Sequence, residues 1–247
     1  MKKALGWVVS LVVIGVVVAY LVFKYGIDQR GRAPQPAPDA ARVGTPYANP
    51  VAANSPLHKP FQKYLAKLAV SQQFQDLLRS TGSNRHPLTI GFDLAKQGMD
   101  RLDDASLDTR LRIVGDVIRT LDARTCSVMV RGNPQNPQEV QQGFFHALEQ
   151  LGSATADEWL ELSFNAMQAE LNNVPLPATE DEKTRNAFAQ LLAGMEPDAS
   201  GKLDRILSNS DDFSDTENCW AGRTLYSEAR KMQRDQRLII ARALARD

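Results

Sequence analysis

The chain has little cysteine, little histidine and no net charge. Its 247 residues include two cysteines and three histidines, and 29 basic side chains balance 29 acidic ones. Two cysteines are too few for a disulfide-rich miniprotein or for a zinc module with four cysteine ligands. The balanced charge does not favour a nucleic-acid partner, because proteins that bind nucleic acid usually carry a basic excess.

Motifs of the common catalytic sites are also missing. The sequence contains no phosphate-binding loop, no G-x-G-x-x-G, no G-x-S-x-G, no S-x-x-K and no H-E-x-x-H. His146 and Glu149 form a single H-x-x-E pair, whereas a carboxylate-bridged metal site in a helical bundle needs two such motifs. We therefore predict no catalytic residue, no metal and no cofactor, and a non-enzymatic protein fits the sequence better than an enzyme.

An uncharged apolar run lies near the N-terminus. Residues 4–23 contain no charged side chain, and Trp7, Tyr20 and Tyr25 lie near the ends of this run. A helix of this length spans about 30 Å, which is the thickness of the hydrocarbon core of a bilayer. Aromatic side chains are typical of the two membrane interfaces. A cleaved signal peptide is the alternative, but its apolar region is shorter and ends at a small-residue site. We predict an uncleaved signal-anchor helix.

The orientation of this anchor is less clear from charge alone. Basic residues lie on both sides of the run, with Lys2 and Lys3 before it and Lys24, Arg30 and Arg32 after it. The very short tail, residues 1–3, is typical of an anchor that leaves its N-terminus in the cytoplasm. We therefore predict a single-pass protein of a bacterial inner membrane with its C-terminal domain in the periplasm. A C-terminal domain that faces the cytoplasm is the alternative.

Residues 24–57 form a predicted linker rich in proline and alanine. Positions 33–57 hold six of the 13 prolines. The alternation of Pro34, Pro36 and Pro38 blocks a helix and favours extended polyproline II structure. Such a segment reaches roughly 60–75 Å. We interpret it as a spacer that carries the following domain away from the bilayer, with a proline-rich ligand as the alternative.

Residues 58–247 are predicted to form one soluble all-α domain. Apolar residues recur there with helical spacing, and no segment shows sustained strand alternation. We expect an irregular bundle of about six to eight helices, because no internal repeat typical of a solenoid is present. The stretch 124–137 is predicted to be irregular. Ser214 and Glu217 form a predicted capping box that opens a helix running to the C-terminus.

Cys126 and Cys219 both follow the predicted membrane span. In an oxidising compartment such a pair is expected to form one disulfide bond. Two buried free thiols are the alternative if the domain is cytoplasmic. A catalytic thiol is less well supported, because no histidine lies near Cys219 in sequence.

The last predicted helix carries an excess of basic residues. Arg230, Arg234, Arg237 and Arg242 are candidate partner-binding residues, because a basic face can bind an acidic protein, anionic lipid or nucleic acid. Pairing with acidic residues of the same domain is the alternative. Acidic residues cluster at Asp100, Asp103, Asp104 and Asp108, and helix-dipole and solubility roles account for them better than a calcium site.

The order of anchor, spacer and helical domain resembles that of lipase-specific foldases. Their R-x-x-F-D-Y signature is missing, since Phe92 and Asp93 are followed by Leu94, and no family is assigned. We expect a tethered domain that binds a protein of the cell envelope as an assembly factor, chaperone or inhibitor. A cell-envelope hydrolase with paired carboxylates is the first alternative. A cytoplasmic domain whose basic helix contacts nucleic acid or the membrane is the second.

Overall fold

The computed structural model describes four segments of the chain, residues 47–81, 86–132, 137–178 and 181–246. The predicted cytoplasmic tail, the predicted transmembrane helix at 4–23 and the linker up to residue 46 lie outside these segments. Among the helices of the four segments, none combines the length and the apolar character needed to cross a membrane.

The described part of the chain is all-α, as predicted, and no strand occurs in it. It contains eleven α-helices rather than the expected six to eight. In chain order they are α1 (His58–Val70), α2 (Gln72–Thr81), α3 (Pro87–Gln97), α4 (Asp104–Thr120), α5 (Ala123–Arg131), α6 (Pro137–Leu151), α7 (Ser153–Leu171), α8 (Asp181–Ala193), α9 (Pro197–Ser208), α10 (Asp215–Lys231) and α11 (Arg234–Ala243).

Short breaks between consecutive helices account for part of the higher number. Ser71, with ψ of 103°, separates α1 from α2. Met232, with ψ of 158°, separates α10 from α11, so the prediction of one helix from Ser214 to the C-terminus was wrong. The Arg237 guanidinium donates to the Met232 carbonyl at 3.2 Å. This bond satisfies a carbonyl that the broken helix leaves without its own partner.

The stretch after α4 was expected to be irregular, and this was also wrong, because most of it forms α5. The Asp122 carboxylate caps the helix by accepting hydrogen bonds from two backbone amides of the first turn, both at 3.0 Å. Gly132 ends the helix with a φ of 69°, a conformation that favours glycine. The buried face of α5 includes Cys126, Met129 and Val130.

Helices α1 and α7 run parallel through the domain. Lys63 and Lys67 of α1 form ion pairs with Asp157 and Glu161 of α7, one turn apart on each helix. Further along both helices, Gln168 Nε2 donates to Ser71 Oγ at 2.8 Å. The C-terminal ends of α1 and α7 therefore lie side by side at one end of the domain.

Residues 47–57, which belong to the predicted linker, pack on this helical domain. Val51 is only 4% exposed, and Tyr47 packs against the core. His58 Nδ1 donates to the Val51 carbonyl at 2.6 Å. The Tyr47 hydroxyl accepts a hydrogen bond of 2.5 Å from Gln75 of α2. That contact lies beside the junction of α1 and α2.

Candidate functional site

Cys126 of α5 and Cys219 of α10 lie with their sulfur atoms 2.07 Å apart and their Cα atoms 5.2 Å apart. This is the geometry of the disulfide bond that the sequence predicts. Both residues are buried, with exposed fractions of 0% and 1%. The pair thus joins two neighbouring helices inside the core.

Three of the four arginines predicted to bind a partner contact aspartates of α4. Arg230 donates to Asp116, Arg237 donates to both carboxylate oxygens of Asp108, and Arg242 donates to Asp104. The bond to Asp108 raises the pKa of Arg237 above the usual value for arginine. The structure thus agrees with the alternative of pairing within the domain at these three positions.

Arg234 is the exposed member of the predicted set. It forms no ion pair with another residue of the described segments. One free arginine on a short helix does not make the basic face that the sequence suggested, because its neighbours are neutralised by aspartates.

The predicted H-x-x-E pair has other contacts. Glu149 Oε1 accepts a hydrogen bond of 2.8 Å from Ser55, and His146 is exposed and lies beside Gln150. Glu158 of α7 likewise pairs with Arg112 of α4. In the residues that the structure describes, no group of three or more histidine, cysteine or acidic side chains is arranged to hold a metal ion.

A different surface stands out at the end of the domain where α1 and α7 terminate. Two segments without a single charged residue meet there, 68–75 across the junction of α1 and α2 and 171–178 after α7. Gln73 Nε2 donates to Asn172 Oδ1 at 2.6 Å, and the bond between Gln168 and Ser71 lies one turn earlier. We call this surface, formed by Val70, Gln72, Gln73, Asn172, Val174 and Leu176, the neutral end.

The neutral end carries the large apolar side chains that the described part of the molecule exposes. Val70 is 82% exposed, Leu176 is 52% exposed and Val174 is 37% exposed. Elsewhere in the described segments, large apolar side chains are buried or partly buried against the core. Isolated exposed apolar residues are common on proteins, but their concentration on two segments that meet at the Gln73–Asn172 bond favours an interaction site.

Charged residues that border the two uncharged segments neutralise one another. Lys67 pairs with Glu161, Asp76 pairs with Arg79, and Glu170 pairs with Arg101 at 2.7 Å. At these positions the bordering charges are paired, and a further cation, Arg246, contacts the second segment by donating to the Pro177 carbonyl at 2.7 Å. The two uncharged segments themselves complement an uncharged surface better than a charged one.

The backbone at the end of α7 positions the second segment. Asn173 has a φ of +49°, and its amide donates to the Glu170 carbonyl. The Val174 amide donates to the Ala169 carbonyl at 2.9 Å. These two bonds make a Schellman motif, which stops the helix and turns the chain outward. Pro175 follows directly and prevents the helix from resuming.

Sequence reasoning missed the neutral end because it weighed charged and nucleophilic residues. The signal that was available is the absence of charge over 68–75 and 171–178, combined with V-P-L-P directly after a helix. Nothing in the sequence indicated that these two segments meet in space.

Comparison with known proteins identifies no relative of this chain. No family model, no curated protein and no solved structure matches it.

Proposed function

We propose that this chain is a membrane-tethered periplasmic helical domain that binds another protein of the cell envelope and has no catalytic activity. The observation that carries the proposal is the neutral end, where two uncharged segments meet at the Gln73–Asn172 bond and carry three exposed large apolar side chains between them. The partner is expected to present an uncharged face with apolar side chains at its centre.

A protein suits this surface better than the interior of a bilayer does. The side chains of Gln72, Gln73 and Asn172 are exposed around the apolar residues. Their amide groups need hydrogen-bond partners, which a protein surface supplies and hydrocarbon does not. Assembly factors, chaperones and inhibitors all need a complementary surface of this kind, so the proposal covers these three roles.

The proposed anchor and compartment rest on two further observations. Residues 4–23 are long and apolar enough to cross a bilayer as a helix. The paired Cys126 and Cys219 are compatible with an oxidising compartment such as the periplasm. Both support the proposed arrangement, in which the neutral end works outside the cytoplasm.

A photoreactive side chain tests the proposal in cells that produce the protein naturally. We would place p-benzoylphenylalanine at Leu176 in the full chain, irradiate intact cells and identify the adduct by mass spectrometry. The matched control places the same residue at Arg234, which is exposed on α11. We expect a discrete protein adduct from position 176 that is lost when Val70 is changed to aspartate.

The control position distinguishes the surfaces. The same adduct from both positions would indicate nonspecific capture and would contradict the neutral end as a binding site. An adduct from position 234 alone would point back to the C-terminal helix. No protein adduct from position 176 would overturn the proposed function.

A further inference from the structure

The segment that follows α7 has a restricted backbone. Pro175 and Pro177 each fix φ near about −65° and have no amide hydrogen. Val174 and Leu176 each precede a proline, and a residue before proline is restricted to extended conformations. These restrictions favour an extended backbone of the polyproline II type over 174–177, and the structure shows neither helix nor strand over 174–178.

Two arginines hold this segment against the domain. The Arg101 guanidinium donates to the Val174 carbonyl, and the Arg246 guanidinium donates to the Pro177 carbonyl at 2.7 Å. These carbonyls are three positions apart, which is one turn of a polyproline II helix. One side of the segment is thus turned toward the domain, and the apolar side chains of Val174 and Leu176 remain exposed on it.

We infer that residues 174–178 are a preorganised polyproline II ligand that docks in an aromatic-lined groove of the partner protein. This inference rests on the proposed function, since it assigns the recognition mode of the neutral end. Grooves lined by aromatic side chains accept the polyproline II backbone because its prolines and exposed apolar residues pack against the rings. The partner's groove is expected to be uncharged, since the segment itself contains no charged residue.

The restricted backbone of the free segment is the physical reason to expect a groove that binds polyproline II structure rather than another apolar surface. A flexible loop loses conformational entropy when it binds, and that loss weakens the complex. Here the prolines and the two arginine contacts restrict the segment before binding. Replacing the prolines by alanine widens the conformations open to the free segment while leaving Val174 and Leu176 in place.

The test uses the full chain in the same cells, with the photoreactive residue at Val70 so that the segment stays intact. The variant is Pro175→Ala/Pro177→Ala, and the matched control is Pro197→Ala, which removes a proline at the start of α9. We expect the double variant to lower the yield of the adduct about tenfold, and the control to leave it unchanged. Thermal unfolding checks that all three proteins are equally folded.

A Leu176→Pro variant separates backbone conformation from side chain. The added proline keeps polyproline II geometry. If the groove binds the backbone rather than the Leu176 side chain, the yield of the adduct from position 70 should stay the same. In a parallel sample with the photoreactive residue at Leu176, we expect the adduct to map to a partner peptide that contains tryptophan, tyrosine or phenylalanine.

The outcomes distinguish this inference from the function on which it rests. A protein adduct that is indifferent to loss of both prolines, or that maps to a peptide without aromatic residues, overturns the polyproline II inference but leaves the proposed protein binding intact. Adducts with lipid alone, or no adduct from either position 70 or 176, overturn both.

Discussion

Arg237 of α11 donates two parallel hydrogen bonds to the carboxylate of Asp108 of α4. Nε lies 2.7 Å from Oδ1, and the second terminal nitrogen lies 3.0 Å from Oδ2. Arg237 also donates to the Met232 carbonyl at the break before α11. One side chain thus fixes the last helix to α4 and stabilises the turn that precedes it.

Removal of this side chain is expected to loosen the C-terminal helix. Arg237→Ala should lower the free energy of unfolding by about 1 kcal/mol, since bidentate arginine–carboxylate pairs are stronger than ordinary surface ion pairs. Arg234→Ala on the same helix is the control and should change it by less than about 0.5 kcal/mol. Urea unfolding at low and high salt measures both, and equal effects would contradict the structural role of Arg237.

Loss of the disulfide bond should destabilise the domain more than any ion pair. Cys126 and Cys219 are separated by 93 positions. Closing a loop of that length is worth up to about 4.7 kcal/mol in the chain-entropy description, and measured bonds typically give about 2–4 kcal/mol. Cys126→Ala/Cys219→Ala should lower stability by that amount in oxidised samples. Under reducing conditions the variant and the native chain should become similar.

The same two cysteines report on the compartment. Thiols trapped before lysis and mapped without reduction show whether the bond exists in the cell. A bonded pair agrees with the periplasmic proposal. Two free thiols in every cell fraction would refute it and favour the cytoplasmic alternative.

Gly222 allows α10 to approach α5 beside the disulfide. A Cβ added at Gly222 would lie 2.2 Å from Cγ2 of Val130. Gly222→Ala should therefore cost about 1–3 kcal/mol of stability through overpacking. Combining it with Val130→Ala should cost less than the sum of the two single changes, because the smaller side chain makes room.

Gly201 provides a control at which substitution by alanine should raise stability rather than lower it. It lies in α9, and a Cβ added there meets no atom within 4 Å. Gly201→Ala should raise stability by about 0.5–1 kcal/mol, because alanine favours a helix. Thermal unfolding of the two glycine variants side by side distinguishes close packing from a general effect of glycine.

Asp122 is expected to give the domain part of its pH dependence. Hydrogen bonds from Thr125 and from backbone amides lower the pKa of its carboxyl below the usual value for aspartate. A lowered pKa in the folded state means that this stabilisation is complete above the ordinary pKa of the unfolded chain. It is then lost as the pH falls through the lower pKa of the folded state.

The variant Asp122→Asn isolates this contribution. Asparagine also caps helices but does not titrate, so its stability should fall less between neutral pH and about pH 3. Unfolding curves at several pH values for both proteins measure the difference. Parallel pH profiles would show that Asp122 does not contribute to the pH dependence.

Local chemistry made several elements predictable. The capping box of Ser214 and Glu217 opens α10 as expected, with both reciprocal hydrogen bonds present. Helix α7 ends shortly before Pro175, because proline cannot continue a helix. The break at Met232 was missed, because it contains neither glycine nor proline and depends on the distant Arg237. The start of α7 has no such local signal, since the helix begins at Ser153 without a side-chain cap, after Gly152, whose φ is 91°.

The surface was harder to predict than the helices. The basic residues of the last helix formed the most visible pattern, yet their acidic partners lie more than a hundred positions earlier in α4. Likewise, the proximity of Gln73 to Asn172 depends on the parallel packing of α1 and α7. A single sequence contains no direct measure of either arrangement.

The bond between Tyr47 and Gln75 holds the chain against α2, within one of the two uncharged segments of the neutral end. If residues 4–23 hold the chain in a bilayer as proposed, a partner fixed in that same bilayer meets this end at a high effective concentration. A small contact surface with modest intrinsic affinity then suffices for an occupied complex. A domain cut free of its tether is expected to lose that advantage and to bind the same partner only at much higher concentration in solution.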